Sequence, residues 1–259
     1  MKESLKSWTK KIFNFRCLSG STLKIIACVS MVVDHFFHMH RLRYVDYILD
    51  NWDFDAVERY LQIYRIGRGI GRLAFPIYCF LLVEGFFHTK NLKKYLLRLL
   101  VMAILSEHAF NLLATGNMID LDFQNVFLTL FIALLTICGM NKVRMRTEIP
   151  GVLRAVFMTC IAAAGCVAAY FLKTDYDYNG VLSIVIIYLL HFNRPLTCIG
   201  GALSFAWERI APLSFIPIFL YDGRRGLKAK YFFYFFYPAH IYLLYIIVYH
   251  ILPVIYGIQ

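Results

Sequence analysis

The chain has 259 residues, of which 60% are hydrophobic, and its formal net charge at pH 7 is +11. Its mean hydropathy is +0.60, whereas roughly half of the residues in a soluble domain are apolar. This composition excludes an ordinary soluble domain. The sequence also has no zinc-finger pattern and no basic stripe with interleaved aromatics, which argues against a nucleic-acid partner.

The apolar residues form separate blocks that are divided by charged or turn residues. A helix needs about 20 mostly apolar residues to cross about 30 Å of hydrocarbon, and helices satisfy their own backbone polar groups in lipid. Residues 1–22 are predicted as a basic amphipathic segment on the inner membrane face. About nine spans are predicted after it, at 23–39, 66–87, 95–114, 125–139, 152–172, 180–192, 196–208, 211–221 and 232–256.

The sequence therefore predicts an all-α fold, a polytopic integral membrane helical bundle of about nine spans, with a single domain over 1–259. The seventh and eighth spans are short, and half-helices or one broken hairpin around Pro212 and Pro217 are the alternatives. The seven cysteines are odd in number and include no C-x-x-C pair, so neither a disulfide framework nor that type of zinc site is expected.

The Lys and Arg residues between the spans indicate an orientation. If the N-terminus is inside, the inner segments carry more than twice as many of these residues as the outer ones. Cytoplasmic loops are enriched in Lys and Arg. We therefore predict a multi-pass protein of the bacterial cytoplasmic membrane with a cytoplasmic N-terminus and, for nine spans, an outer C-terminus.

Several ionisable side chains lie inside the apolar blocks, where they are costly and are usually paired or functional. Asp34 and His35 are adjacent in the first span, and Arg72 enters the second. Further candidates, for substrate binding or for structure, are Arg65, Arg68, Glu84, Glu107, Asn125 and His240. The predicted pairs are Glu84 with Arg98, Glu107 with Arg72, and Asp34 with Arg72 or with another span. No metal is expected, because His35 and His38, at i and i+3, have no further ligand cluster nearby.

Four blocks, spread over most of the chain, carry a family resemblance. They are LKIIACVSMVVDHFF (23–37), YRIGRGIGRLAFPIYCFLLVEGFFHTKNLKKYLLRLLVMAILSE (64–107), NVFLTL (125–130) and YFFYFFYPAHI (231–241). With these blocks in this order, the chain resembles the TraX family of bacterial membrane proteins. The founding member of that family is linked to N-terminal acetylation of conjugative pilin, with acetyl-CoA as the donor.

A second resemblance is broader. A histidine near the end of the first span, followed by a G-x-x-x-F-P-type second span (71–76), is similar to transmembrane acyltransferases such as the heparan glucosaminide N-acetyltransferases and bacterial sugar O-acetyltransferases. This resemblance implies a transmembrane acyltransferase-like bundle that acyl-CoA enters from the cytoplasm. It also implies that His35 serves the acyl transfer.

Acyl transfer from a thioester needs a proton acceptor and a group that stabilises an oxyanion. The imidazole of His35 can take the proton or carry the acyl group, Asp34 can orient that imidazole, and Arg72 can stabilise negative charge. These three are the predicted catalytic residues. The phosphates of the CoA donor are expected to bind basic residues of the inner loops, although those residues serve topology equally well. They are Arg224, Arg225, Lys228, Lys93 and Lys94.

We therefore expect a membrane-embedded acyltransferase that moves an acetyl group from acetyl-CoA to an amine or hydroxyl of an envelope acceptor, either a pilin-like peptide or a sugar. The alternatives are a transporter or flippase of small or lipid-linked solutes, which broken spans and intramembrane charges also suit, and a structural assembly factor. The expected partners are membrane lipid, a CoA thioester and an unidentified envelope acceptor. Formation of a homo-oligomer is left open.

Overall fold

The computed structural model describes residues 16–120 and 122–257, and every regular element in them is helical. The helices are α1 (Gly20–Asn51), α2 (Phe54–Gly71), α3 (Ala74–His88), α4 (Leu92–Ala114), α5 (Val126–Arg144), α6 (Gly151–Phe171), α7 (Asp177–Leu190), α8 (Arg194–Ser204), α9 (Phe215–Phe219), α10 (Lys230–Ile246) and α11 (Leu252–Tyr256). A 3₁₀ turn (Ala211–Ser214) precedes α9, and a π-helical turn (Ile247–Ile251) joins α10 to α11. The prediction of an all-α protein is confirmed.

Short polar side chains begin five of these helices. Each accepts a hydrogen bond from a backbone N–H two or three residues further on, which satisfies one of the donors that a helix start leaves free. These capping residues are Ser19 of α1, Asp53 of α2, Asn91 of α4, Asn125 of α5 and Asn193 of α8. Local sequence therefore sets the starts of most of the long elements.

Six helical segments of the described chain are long and apolar enough to cross a membrane. They are Gly20–Asn51, Phe54–His88, Leu92–Ala114, Val126–Arg144, Gly151–Phe171 and Tyr231–Ile255. The segment Phe54–His88 combines α2 and α3. The chain is therefore a multi-pass membrane protein.

The predicted number of about nine spans is too high by this measure. α8 has 11 residues and α9 has five, and at about 1.5 Å per residue α8 covers only about 16 Å. Pro212 and Pro217, five residues apart, leave no room for a long regular helix between them. The predicted spans 196–208 and 211–221 are therefore short helical pieces, which agrees with the half-helix alternative. α7, with 14 residues, is also shorter than a typical span.

The predicted amphipathic segment 1–22 lies mostly outside the described residues. Of its described part, residues 16–19 are not helical and run beside residues 220–225, whereas residues 20–22 already belong to α1. Cys17 and Leu18 donate their backbone N–H groups to the carbonyl of Leu220 at 3.0 and 3.1 Å, and Gly20 donates to Arg224 at 2.8 Å. The start of α1 is thus fastened to the chain segment that precedes α10.

The bundle is organised around α3, which packs against α1, α5 and α7. Ile77 and Phe80 of α3 are fully buried, as are Leu134 of α5 and Ile184 of α7. α6 lies at the edge, where it packs against α5 and α7 and leaves apolar side chains such as Phe171 exposed. Such a surface suits contact with lipid.

The bundle has two ends, a basic end and a far end. The basic end is where α1 begins, together with residues 84–98, 191–194 and 221–228. The far end holds the last turns of α1, residues 114–120 and 122–124, and the turn 172–176. At the far end the hydroxyl of Tyr44 donates to the carbonyl of Val248 at 2.7 Å, which joins α1 to the end of the last long helix.

Candidate functional site

A large cavity, with a volume of about 970 Å³, extends along the interior of the bundle. Ligand pockets typically measure about 300–1,000 Å³. Its lining includes Lys24 and Arg225 from the basic end, His35 from the middle of α1, and Asp120 and Asp122 from the far end. The cavity therefore brings together side chains from both ends of the bundle.

A helix break places one predicted catalytic residue in this cavity. Pro76 has no N–H, and its ring crowds the carbonyl four residues earlier, which belongs to Arg72. The chain accordingly tightens there, and Arg72 and Leu73 bond to carbonyls only three residues back, at 3.2 Å each. α2 ends just before Arg72, whose Nε lies 3.4 Å from the carboxylate of Glu208.

Asp34 is held by α2 and not by its neighbour His35. Its Oδ2 atom lies 2.8 Å from the guanidinium of Arg68, while its Oδ1 atom is buried and has no hydrogen-bond partner among the described residues. Gly71 packs directly on this side chain, and a Cβ at position 71 would overlap the Cβ and carboxyl carbon of Asp34. Only glycine allows α2 to come this close.

We expect Gly71→Ala to displace Asp34 and to destabilise the protein by about 1–3 kcal/mol, the usual cost of overpacking. The loss should appear as a lower thermal unfolding midpoint in detergent. The matched control is Gly151→Ala, because a Cβ at that helical position meets no atom within 4 Å. Equal midpoints for the two variants would contradict the close packing at Gly71.

The partner of His35 is His240 of α10. Nδ1 of His35 lies 2.8 Å from Nε2 of His240, and His35 also lines the cavity. Successive residues of a helix point about 100° apart, so Asp34 faces α2 while His35 faces α10. The predictions that Asp34 orients the His35 imidazole, or pairs with Arg72, are therefore wrong.

The predicted pair of Glu107 with Arg72 is also wrong. Glu107 instead accepts a hydrogen bond from the side-chain amide of Asn125, whose oxygen caps α5. Asn125 is fully buried, so its role in the described structure is to join α4 to α5. Arg65 is exposed and lies outside the cavity lining, unlike Arg68 one turn later.

Glu84 does not pair with Arg98 as predicted. Two residues that follow α7 contact its carboxylate instead. Nε2 of His191 and a guanidinium nitrogen of Arg194 lie 2.9 and 3.5 Å from Oε1 of Glu84. Arg194 also packs over the ring of Phe80, 4.7 Å from its centroid. This cluster closes the basic end beside the cavity.

Of the five residues predicted to bind the CoA phosphates, only Arg225 lines the cavity. Arg224 forms an ion pair with Asp222 at 2.6 Å. The other three, Lys93, Lys94 and Lys228, are exposed and outside the lining. Lys24 and Arg98, which the sequence prediction did not assign to this role, line the basic end of the cavity instead. The sequence did contain a signal for their position in the cavity, because both residues lie inside apolar helices and not in the loops.

A strained turn carries another group that the sequence prediction left out. Lys173 and Asp177 have φ angles of 49° and 47°, which non-glycine residues rarely adopt. Between them, Asp175 donates its N–H to the carbonyl of Gln124 at 2.8 Å, and its side chain lines the cavity. Burial raises the pKa of this carboxyl to about 7, so it is partly protonated at neutral pH.

Comparison with known proteins identifies relatives along nearly the full chain. The sequence profile of the TraX protein family matches residues 19–248. A protein named probable fimbrial assembly protein FimC, serogroup H1, from Dichelobacter nodosus is 28% identical over 252 residues, which cover 87% of this chain and 94% of that protein. No solved structure gives a significant match. Because the family profile covers most of the sequence, the chain belongs to the TraX family.

Proposed function

We propose that the protein is a membrane-embedded acyltransferase that moves an acetyl group from acetyl-CoA to an amine or hydroxyl of an envelope acceptor. One observation supports this best: a half-buried histidine, His35, lines a cavity whose walls come from both ends of the bundle. A donor and an acceptor can therefore reach one imidazole from opposite ends. Membership of the TraX family, whose founding member is linked to pilin acetylation, supports the same reaction.

One ring nitrogen of His35 is the proton acceptor in the proposed reaction. Nδ1 is bonded to His240, so Nε2 is the ring nitrogen available to a substrate. Nε2 accepts the proton of the acceptor amine or hydroxyl as that group attacks the thioester carbonyl. The C–S bond then breaks, and the same proton passes to the departing thiolate of CoA. His35 is thus unchanged at the end of the reaction.

Arg72 is the group that we assign to the oxyanion. A guanidinium has five N–H donors, and the ion pair with Glu208 uses only part of them. Arg72 lines the same cavity as His35. A fixed positive donor stabilises negative charge that develops in the transition state.

The donor is expected to enter at the basic end, where Lys24, Arg98 and Arg225 line the cavity. Phosphate oxygens form their strongest hydrogen bonds with such cations. If the bundle lies in the bacterial cytoplasmic membrane with its N-terminus inside, as the distribution of Lys and Arg favours, this end faces the compartment that holds acetyl-CoA.

Neutralising Arg98 and Arg225 together, as Arg98→Gln and Arg225→Gln, should weaken CoA binding by about tenfold or more, because a hydrogen bond to a charged group contributes about 1.5–3 kcal/mol. The measurement is calorimetric titration of CoA into the protein in nanodiscs. The matched control replaces Lys142 and Arg146, two exposed cations outside the cavity lining, in the same way. Equal weakening by both pairs would show a diffuse charge effect and would contradict a donor site at this mouth.

The relatives suggest a first candidate for the acceptor. The Dichelobacter nodosus relative is named for fimbrial assembly, so a fimbrial or pilin-like peptide is the acceptor to examine first, with envelope sugars next. Mass spectrometry of envelope proteins and polymers, from cells with and without the gene, should reveal a component that is heavier by one acetyl group. If no envelope fraction shows such a difference, the proposal is contradicted.

Transport of small or lipid-linked solutes is a second candidate, since a cavity lined from both ends also suits alternating access. The two functions differ in their need for compartments. Acetyl transfer by the purified protein should persist in detergent micelles, whereas transport is detectable only across a sealed membrane. Solute uptake into proteoliposomes without any release of CoA from acetyl-CoA would favour the transporter.

A further inference from the structure

His240 lies behind His35 as seen from the cavity. His35 is part of the cavity lining, whereas His240 is not and is only 5% exposed. The two imidazole rings are nearly parallel, with an interplanar angle of 15° and centroids 4.9 Å apart. His240 is itself held by the ring of Phe236, stacked at 4.8 Å.

Two hydrogen bonds in series determine which nitrogens carry protons. Nδ1 of His240 lies 2.7 Å from the backbone carbonyl of Phe236. A carbonyl only accepts, so this Nδ1 carries a hydrogen, and Nε2 of neutral His240 has a free lone pair. Nδ1 of His35, 2.8 Å away, must then be the donor. Neutral His35 consequently has its hydrogen on Nδ1 and its lone pair on Nε2.

We infer that His240 is a positioning residue that fixes His35 in the Nδ1–H tautomer and turns the basic Nε2 atom toward the cavity. The catalytic consequence rests on the proposed function, because only an acyl transfer uses that lone pair. Without the acceptor at His240, His35 could protonate Nε2 instead, and the nitrogen that faces the substrate would then be unable to take a proton. A wrong tautomer is costly even where the geometry of the site is intact.

The partner is unusual for a catalytic imidazole, which a carboxylate more often orients. His240 adds no negative charge, and its Nδ1–H is already donated to a backbone carbonyl. Its contribution to His35 is therefore orientation, not neutralisation of a proton that His35 gains. The nearest carboxylate in sequence, Asp34, is bound to Arg68 instead.

Two substitutions of His240 separate positioning from a merely structural role. In His240→Gln the amide oxygen can still accept from Nδ1 of His35, whereas His240→Leu fills similar space without an acceptor. Loss of the partner that orients a metal-ligating histidine typically costs about 10- to 100-fold in affinity or activity, and a comparable loss is expected at His35. We expect kcat of the leucine variant to fall by about that factor, at an unchanged KM for acetyl-CoA, and the glutamine variant to retain most of the activity.

The assay follows release of CoA from acetyl-CoA in the presence of an envelope fraction from cells that lack the gene. His108→Leu is the matched control, because His108 also bonds to a neighbouring helix, through Tyr242 at 2.8 Å, but lies outside the cavity lining. Full activity of His240→Leu would overturn the inference. Equal loss of activity in folded His240→Leu and His240→Gln would also overturn it.

Nitrogen-15 spectra of histidine-labelled protein in nanodiscs test the tautomer without any activity. The His35 signals are assigned by their absence in His35→Gln. We expect a protonated Nδ1 and an unprotonated Nε2 in the native protein, and a mixture of tautomers in His240→Leu. The opposite tautomer in the native protein would overturn the inference whatever the activity. If no acetyl transfer is detected but this spectrum is found, the proposed function fails while the assignment of the tautomer stands.

Discussion

Replacing His35 with alanine is expected to reduce acetyl transfer by about 100- to 10,000-fold, the range typical for loss of a general base. His35 lines the cavity. One of its ring nitrogens is hydrogen-bonded to His240, and the other is available to a substrate. His35→Gln should be equally inactive, because an amide does not exchange a proton at neutral pH. The measurement is release of CoA from acetyl-CoA by purified protein supplied with the envelope fraction described above.

The control for this prediction is His108→Ala, which removes an exposed imidazole outside the cavity lining and should retain full activity. Both variants need thermal unfolding midpoints near that of the native protein, so that a loss of activity is not a loss of fold. A folded His35→Ala protein with native activity would end the assignment of the chemistry to this residue.

The largest effect on stability is expected at Glu84, whose side chain is only 8% exposed. Glu84→Ala leaves Arg194 without its carboxylate partner in a position where its own side chain is 17% exposed. Removing one member of a buried ion pair typically costs about 3–5 kcal/mol, because the remaining charge stays desolvated. Reversible unfolding in mixed detergent micelles should show this loss of free energy.

Glu148→Ala is the matched control, because Glu148 forms an ion pair with Arg146 in which both side chains are about two-thirds exposed, at 66% and 68%. Exposed pairs of this kind contribute only about 0–1 kcal/mol. A loss at Glu84 no larger than that at Glu148 would show that solvent or lipid headgroups replace the carboxylate, and that the cluster does not hold the basic end together.

The helical class of the protein was predictable because the apolar blocks are long and because polar caps precede them. Ser19, Asn91 and Asn125 begin α1, α4 and α5 close to the predicted starts of the first, third and fourth spans. The number of spans was not predictable in the same way. The blocks 196–208 and 211–221 are apolar enough to suggest crossing, but their prolines and their packing onto α7 and α3 decide otherwise.

The residue types of the candidate site were visible in the sequence, whereas their partners were not. Asp34, His35, Arg68 and Arg72 were recognisable as ionisable groups in apolar helices. Each of them pairs through a contact with another element, and no local spacing encodes such contacts. Glu208 lay at the end of the predicted span 196–208, and Asp175 lay between the predicted spans 152–172 and 180–192. Only the folded chain places Glu208 against Arg72, and Asp175 in the cavity that Arg72 lines.

The length of α1 has a consequence for how an acceptor reaches the cavity. Its 32 residues extend about 48 Å, which exceeds the hydrocarbon thickness by about 18 Å. Even a tilt of about 40°, the upper end of the usual range, leaves about 37 Å along the membrane normal. The last turns of α1, which carry Arg41, Arg43, Asp46 and Asp50, are therefore expected to extend beyond the hydrocarbon core together with the start of α2. We expect this charged hairpin to lie at the membrane surface, where a water-soluble acceptor of the proposed reaction can approach the far end without passing through lipid.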